Sequence, residues 1–279
     1  MTRACWNRLV AIVAVLGVAP LAVARAQECF PFGPGERLSY AVRAATLGAK
    51  GKATMSVAGP ELVRGRVALV LRSEASVGVL SLRGTDRSAS WIDPMRFASL
   101  RFVQVELNVL SRASDSVEIM PEEQKWFRSN GRTGDTMSDT PLDVLSFIYF
   151  LRTLPFDRDT AWSFDRHFDA ARNPALVRFA GRDTVTTPAG RFPVISVEMR
   201  VNDKEHYGGD GVIHLLLSDD ARRTPVRIQS VMPTAGTTVF TLTAQANSTG
   251  GPCPLVAAPL IATPERNSRP ESLKEEHNR

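Results

Sequence analysis

Pro141-Leu142-Asp143-Val144-Leu145-Ser146-Phe147-Ile148-Tyr149-Phe150-Leu151-Arg152 reads as a helix that is apolar on almost every side, in a chain that otherwise alternates like strands. A helix without a polar face has to be covered all round, so the sequence predicts one buried helix over about 141–152, packed inside a sheet. Thr140 is placed to cap its first turn, Pro141 suits the first helical position, and Asp143 can answer the free amides and the positive end of the dipole. Pro155 ends it, because the residue before a proline avoids helical dihedrals. Leu142, Val144, Leu145, Phe147, Ile148, Tyr149, Phe150 and Leu151 are all expected in the core, where their burial would contribute roughly 12–24 kcal/mol as an upper bound.

On either side of this helix, from Glu36 to Ala246, short runs alternate between apolar and polar residues and are separated by turn residues. The runs before it are Arg37 to Val42, Ala53 to Val57, Val67 to Ser76, Ser88 to Ile92, Leu100 to Leu107, Ser116 to Met120 and Gln124 to Phe127. Those after it are Trp162 to Phe168, Leu176 to Phe179, Val194 to Val201, Val212 to Leu217, Val226 to Ser230 and Thr238 to Thr243. Alternation with period two and short connections is the pattern of hairpins in an antiparallel sheet. A sheet with about a dozen strands curls, so the fold class is mainly β: a large curved antiparallel sheet, a half-barrel or open barrel, around one apolar helix.

The connections support hairpins. In Thr187-Pro188-Ala189-Gly190, Pro188 presets the second turn position and Gly190 supplies permissive backbone for the returning strand. Ser218 to Pro225 links Leu215-Leu216-Leu217 to Val226-Arg227-Ile228 with side chains that can bond their own backbone. Lys204 to Gly211 reads as another polar, glycine-bearing connector.

The ends differ in kind. Residues 1–26 read as an export signal: Arg3 and Arg8 make the positive start, Leu9 to Val23 the apolar run, and Ala24-Arg25-Ala26 the cleavage site. The mature chain then begins at Gln27, with no transmembrane segment expected in it. Removing the signal takes three basic residues and no acids, which leaves 31 basic against 29 acidic residues and lowers the net charge from +5 to +2. With no dense Lys/Arg stripe along the sequence, nucleic acid is not expected as a partner. Cys29 and Cys253 are the cysteines left in the mature chain, and an exported protein with two cysteines invites a disulfide, the alternative being two unpaired thiols. If formed, that bond would add on the order of 5 kcal/mol in the chain-entropy picture. Residues 27–247 make one antiparallel β domain, and 248–279 a disordered proline-rich tail.

Four segments carry a resemblance. They are Pro31 to Tyr40, Asp143 to Thr153, Thr187 to Phe192, and Leu217 to Val226, which together resemble the exported bacterial family called domain of unknown function 3108 (DUF3108) in order and spacing. The resemblance spans roughly residues 31–246. It implies a mostly β protein of the periplasm or envelope of a Gram-negative bacterium, with no agreed activity and no catalytic residues to carry over.

No motif for chemistry stands out. His167, His206 and His214 match no ligand spacing, and two mature cysteines supply too few soft ligands, so neither metal nor cofactor is expected. Asp219-Asp220 read as turn formers, since adjacent strand residues point to opposite sides. Ser146 lacks a nucleophile elbow and suits a helical serine bonded to its own backbone. Arg152 and Asp143 stand too far apart to pair, so each is expected to bond sheet or loop groups and fix how the helix docks.

Two functional classes follow. In one, the curled sheet leaves a pocket beside the helix, walled by Leu145, Ile148, Tyr149, Arg152 and Trp162, for an apolar small molecule or envelope lipid. In the other, the helix fills the concavity and the protein serves as a non-catalytic envelope assembly or interaction module for a protein partner.

Overall fold

The structure is a computed structural model that describes residues 30–248, apart from 46–47, 81, 108–111, 158–159 and 204–207. Before the helix come β1 (Arg37–Ala44), β2 (Ala49–Val63), β3 (Arg66–Val79), β4 (Leu82–Asp93), β5 (Ala98–Leu107), β6 (Arg112–Met120), β7 (Lys125–Arg128) and β8 (Thr133–Asp135). After the helix, α1 (Val144–Leu151), follow β9 (Ala161–Phe164), β10 (Ala175–Thr187), β11 (Gly190–Asp203), β12 (Gly209–Ser218), β13 (Pro225–Met232) and β14 (Gly236–Ala246).

Among the described residues these strands form one antiparallel sheet, in the order β8-β7-β6-β5-β4-β3-β2-β1-β14-β13-β12-β11-β10-β9. Two meanders are thus joined where the first strand pairs with the last, Tyr40 opposite Leu242. Inward residues from both meanders, among them Leu38, Met55, Leu71, Ile119, Val197, Leu215 and Leu242, meet the helix in one cluster, which requires the sheet to curl around it. The sheet stays open. Its edges are β8 and β9, only three and four residues long, a length that limits edge-to-edge pairing with other chains.

The expected antiparallel sheet and buried helix are present, with differences of detail. The helix begins at Val144, and Asp143 is its N-cap instead of Thr140. Leu142 cannot be helical, because its backbone pairs with the stretch at 166–168: its N–H donates to the Arg166 carbonyl and its carbonyl accepts from Phe168 N–H. Pro141 is held likewise, its carbonyl accepting from Ser99 N–H. The helix also stops well before Pro155, with Arg152 as C-cap. Val144 is 44% exposed and Ile148 only partly buried, so Leu142 and the five helix residues Leu145, Phe147, Tyr149, Phe150 and Leu151, not all eight apolar side chains, make the core.

Among the strands, the run expected over Trp162 to Phe168 ends at Phe164, where Leu142 takes over the backbone bonds, and Gly209 to Gly211 belong to β12 instead of a connector. The 187–190 turn is as expected, with Thr187 paired to Gly190 and Gly190 at φ 132°. Gly51 marks a close approach: a Cβ there would stand 1.9 Å from the Ser76 carbonyl oxygen. No helix of the described residues is long and apolar enough to cross a membrane. The export signal, Cys29, Cys253, His206 and all but the first residue of the tail lie outside the described residues.

Candidate functional site

Each end of the helix is tied to the sheet by polar groups sealed from solvent. At the N-terminus, the Asp143 carboxylate accepts from the backbone N–H groups of Leu145 and Ser146, both at 2.9 Å, while Ser146 Oγ accepts from Asp143 N–H at 2.9 Å. This is a capping box with serine in the place usually taken by glutamate. The sheet completes it: Ser90 of β4 and Ser99 of β5, both facing inward, donate their hydroxyls to the second Asp143 oxygen. Burial pushes the Asp143 carboxyl above its ordinary range, against the pull of these four donors.

At the other end, Arg152 is fully buried and makes a bidentate pair with Glu36, Nη1 to Oε1 at 2.7 Å and Nη2 to Oε2 at 2.8 Å. Its Nη2 also donates to the Arg222 carbonyl at 3.0 Å. The guanidinium lies 4.9 Å from the Phe32 ring centre and 5.2 Å from that of Tyr149, within cation–π range. Burial opposes its charge, but the attraction and hydrogen bonding of Glu36 override it and raise the guanidinium above its ordinary value. Beside it, the Tyr149 hydroxyl is pushed well up, by burial first and by Glu36 second, and it has no hydrogen-bond partner among the described residues. Tyr40 differs in that its hydroxyl donates to the Pro225 carbonyl at 2.9 Å.

The five residues expected to wall a pocket are placed as follows. Leu145, Tyr149, Arg152 and Trp162 are 4%, 0%, 0% and 5% exposed, and Ile148 is partly buried. Tyr149 and Arg152 are stacked together, whereas Trp162 packs edge-on against Phe156 out on β9. Two hollows of about 260 and 370 Å³ lie elsewhere, on the opposite face of the sheet, and none of the five lines either.

Other candidates resolve into structural roles. Ser146 Oγ is sealed and held between the Asp143 backbone and Ser99 Oγ, as a cap and not as a nucleophile. Asp220 Oδ1 accepts from Ser218 Oγ and from the backbone N–H groups of Arg222 and Arg223 and so builds the turn, while Asp219 pairs with Arg223 and with Arg182 of β10 and ties the turn to that strand. His214 stands on β12 opposite Glu198 and Gln229. His167 is buried with Nδ1 accepting from Asp169 N–H at 3.0 Å, and burial, then Arg172, lower it to about 3.

The sequence reading missed Glu36, Ser90 and Ser99. Ser90 and Ser99 carry no local signal, since a lone serine in a strand is ordinary. Glu36 had one: it lies in the first resembling segment. Three of those four segments converge on Arg152, through Phe32 and Glu36 of the first, the helix end of the second and the Arg222 carbonyl of the fourth.

Comparison with known proteins agrees with this architecture. The family described as protein of unknown function DUF3108 matches residues 39–243. A search of curated proteins found no match. A solved β-barrel-like protein of domain of unknown function DUF1849 from Brucella abortus is 11% identical, covering 78% of this chain and 100% of its own, with a TM-score of 0.53. That likeness is one of fold. A Bacteroides fragilis protein described as having a YmcC-like fold, also 11% identical, covers 79% of this chain and 100% of its own at a TM-score of 0.33, too low to carry an argument.

Proposed function

We infer that this chain, which belongs to the DUF3108 family of proteins of unknown function, is a non-catalytic module of the bacterial cell envelope that acts through its outer surface. The observation that carries this reading is the sealing of the helix: Tyr149 and Arg152 are fully buried, and charged groups lock both helix ends to the sheet. At the Arg152 end the buried Glu36–Arg152 pair opposes opening of the helix from the sheet, since leaving either charge buried without its partner costs about 3–5 kcal/mol. The export signal read over residues 1–26 supports the location.

A second reading keeps the apolar ligand but moves it. On the concave face, beyond the helix, Val77, Val201, Ile213 and Phe240 are only partly buried at the margin of the core. They share that face with Val42 and Leu215 by register. Such a wall could take an acyl chain from the open end of the sheet.

Native mass spectrometry of protein purified from its own envelope separates the two. The packed-module reading expects the mass of the bare chain alone. A stoichiometric apolar adduct, lost when Ile213 or Phe240 is changed to a charged residue that leaves the fold intact, would overturn it in favour of the second.

A further inference from the structure

The outer face of the sheet is strongly and one-sidedly basic, and we propose that it docks on a bilayer surface rich in anionic phospholipid; this deepens the outer-surface reading above. Strand register assembles the face in rows. Arg37, Ser56 and Arg72 lie abreast on β1, β2 and β3, and Ser39, Thr54, Glu74 and Arg87 make the next row, reaching β4. Then come Arg227, Thr241, Ala41 and Lys52 across β13, β14, β1 and β2, followed by Arg43, Lys50, Gly78 and Arg83 from β1 to β4. These side chains alternate with the inward residues Leu38, Tyr40 and Val42, so all point away from the core.

The acids of the same six strands do not neutralise the face. Asp86 is hydrogen-bonded to the Gln104 amide, and by register it lies on the inward face opposite Ala75. Glu61 accepts from Arg72 and Trp91, Glu74 pairs with Arg87, and Asp93 sits near Arg66. Arg37, Arg43, Lys50, Lys52, Arg83 and Arg227 enter no ion pair among the described residues, and all but the half-buried Arg227 are exposed. Both hollows open on this face, one flanked by Arg43 and Lys50, the other by Arg37, Arg72 and Arg87.

The pattern suits headgroups better than a nucleic-acid strand. The charges spread in two dimensions over six strands, about 24 Å at ~4.8 Å per strand, instead of following one groove. Between them stand small hydroxyl residues such as Ser39, Ser56, Thr54 and Thr241, which can bond phosphate oxygens but give bases nothing to stack on. Trp91 bounds the larger hollow, but Arg101 covers its ring at 5.6 Å and its N–H donates to Glu61.

The test is flotation of the chain from Gln27 onward with vesicles of phosphatidylglycerol and phosphatidylcholine, or of phosphatidylcholine alone. Binding to the anionic vesicles only, released at about 0.5 M salt, is expected, since screening shortens the reach of each charge to a few ångströms. Lys50→Glu with Lys52→Glu should lower the partition coefficient on the order of 25-fold or more, at about fivefold for each lysine lost. Arg191→Glu with Lys125→Glu, an equal charge change elsewhere, should leave it within about threefold, and unchanged melting would show both pairs folded. Equal binding to both vesicle types, equal loss in both variants, or tighter binding of a single-stranded oligonucleotide at the same salt would each overturn the docking proposal. Such a failure leaves the packed-core reading standing, because mass spectrometry tests that separately.

Discussion

Glu36 and Arg152, 116 residues apart in the chain, form a bidentate ion pair sealed from solvent at 2% and 0% side-chain exposure. Glu36 immediately precedes β1, the strand that joins the two meanders, so this contact fastens the helix to the seam of the sheet. Its partners also include the 222 carbonyl in the turn before β13. One guanidinium therefore holds three distant parts of the chain.

Removing one partner should be far worse than removing both. Glu36→Gln leaves a buried cation short of its counter-charge, and a loss of about 3–5 kcal/mol is expected in urea unfolding. Glu36→Leu with Arg152→Met should recover much of that loss. If the single variant unfolded at the wild-type midpoint, the pair would have no part in holding the helix.

The two core tyrosines should respond oppositely to loss of their hydroxyls. Tyr40→Phe deletes the bond to the Pro225 carbonyl and should cost about 1 kcal/mol or more. Tyr149→Phe deletes a buried hydroxyl with no partner and should be neutral or stabilising by up to about 1 kcal/mol. Thermal melts of the two variants side by side decide this, and a Tyr149 variant less stable than the Tyr40 variant would contradict it.

His167 should make the protein acid-sensitive. The unfolded imidazole takes up a proton near 6.5 and the folded one only near 3, so between those values the unfolded state binds more protons. Stability from this group is complete above pH 6.5 and is lost as pH falls toward 3, at up to ~1.4 kcal/mol per pH unit. His167→Asn can still accept from Asp169 N–H, and should flatten the dependence between pH 6.5 and 4. Parallel pH profiles for the two proteins would show that His167 is not its source.

Asp143 works in the opposite sense. Its carboxyl is raised in the folded protein, so the stability it adds is complete below about 3.9, its ordinary unfolded value, and is lost as pH rises through the folded value. Ser99→Ala removes a donor to the carboxylate and should raise that folded value further. Carbon-13 NMR titration of the carboxyl would register the shift, and a downward move would refute the role given to Ser99.

Gly51→Ala tests the packing of β2 on β3. The new methyl would meet backbone, the Ser76 carbonyl oxygen at 1.9 Å and Val77 Cα at 2.7 Å, which no side-chain rotation relieves. A loss of about 1–3 kcal/mol is expected, read as a lower melting midpoint. An unchanged midpoint would mean that the two strands do not run in this register.

Much of the fold was legible in the alternation. Val194 to Val201 falls within β11 and Leu100 to Leu107 within β5, because a strand buried on one face writes its period directly into the sequence. β8 was missed: Thr133-Gly134-Asp135 has no apolar alternation, and Gly134 is there so that the Trp126 ring can lie against its backbone. The helix start was misplaced for a non-local reason, since Leu142 is drawn into extended pairing with residues 166–168. At the candidate site, Arg152 and Asp143 could be recognised as docking groups, but their partners could not.

By itself the sequence determined the single helix, the order of every strand except β8, and which side of the alternating strands faces inward, because these follow from local periodicity and turn chemistry. The tertiary structure alone decided that Glu36 meets Arg152, that Ser90 and Ser99 close over Asp143, and that Lys52 stands in one row with Arg227. Those facts depend on strand register and on curvature that brings residues together across the whole chain. A cation every few residues looks like ordinary surface in one dimension. Only pairing, which sets alternate residues of neighbouring strands side by side, turns it into a charged face.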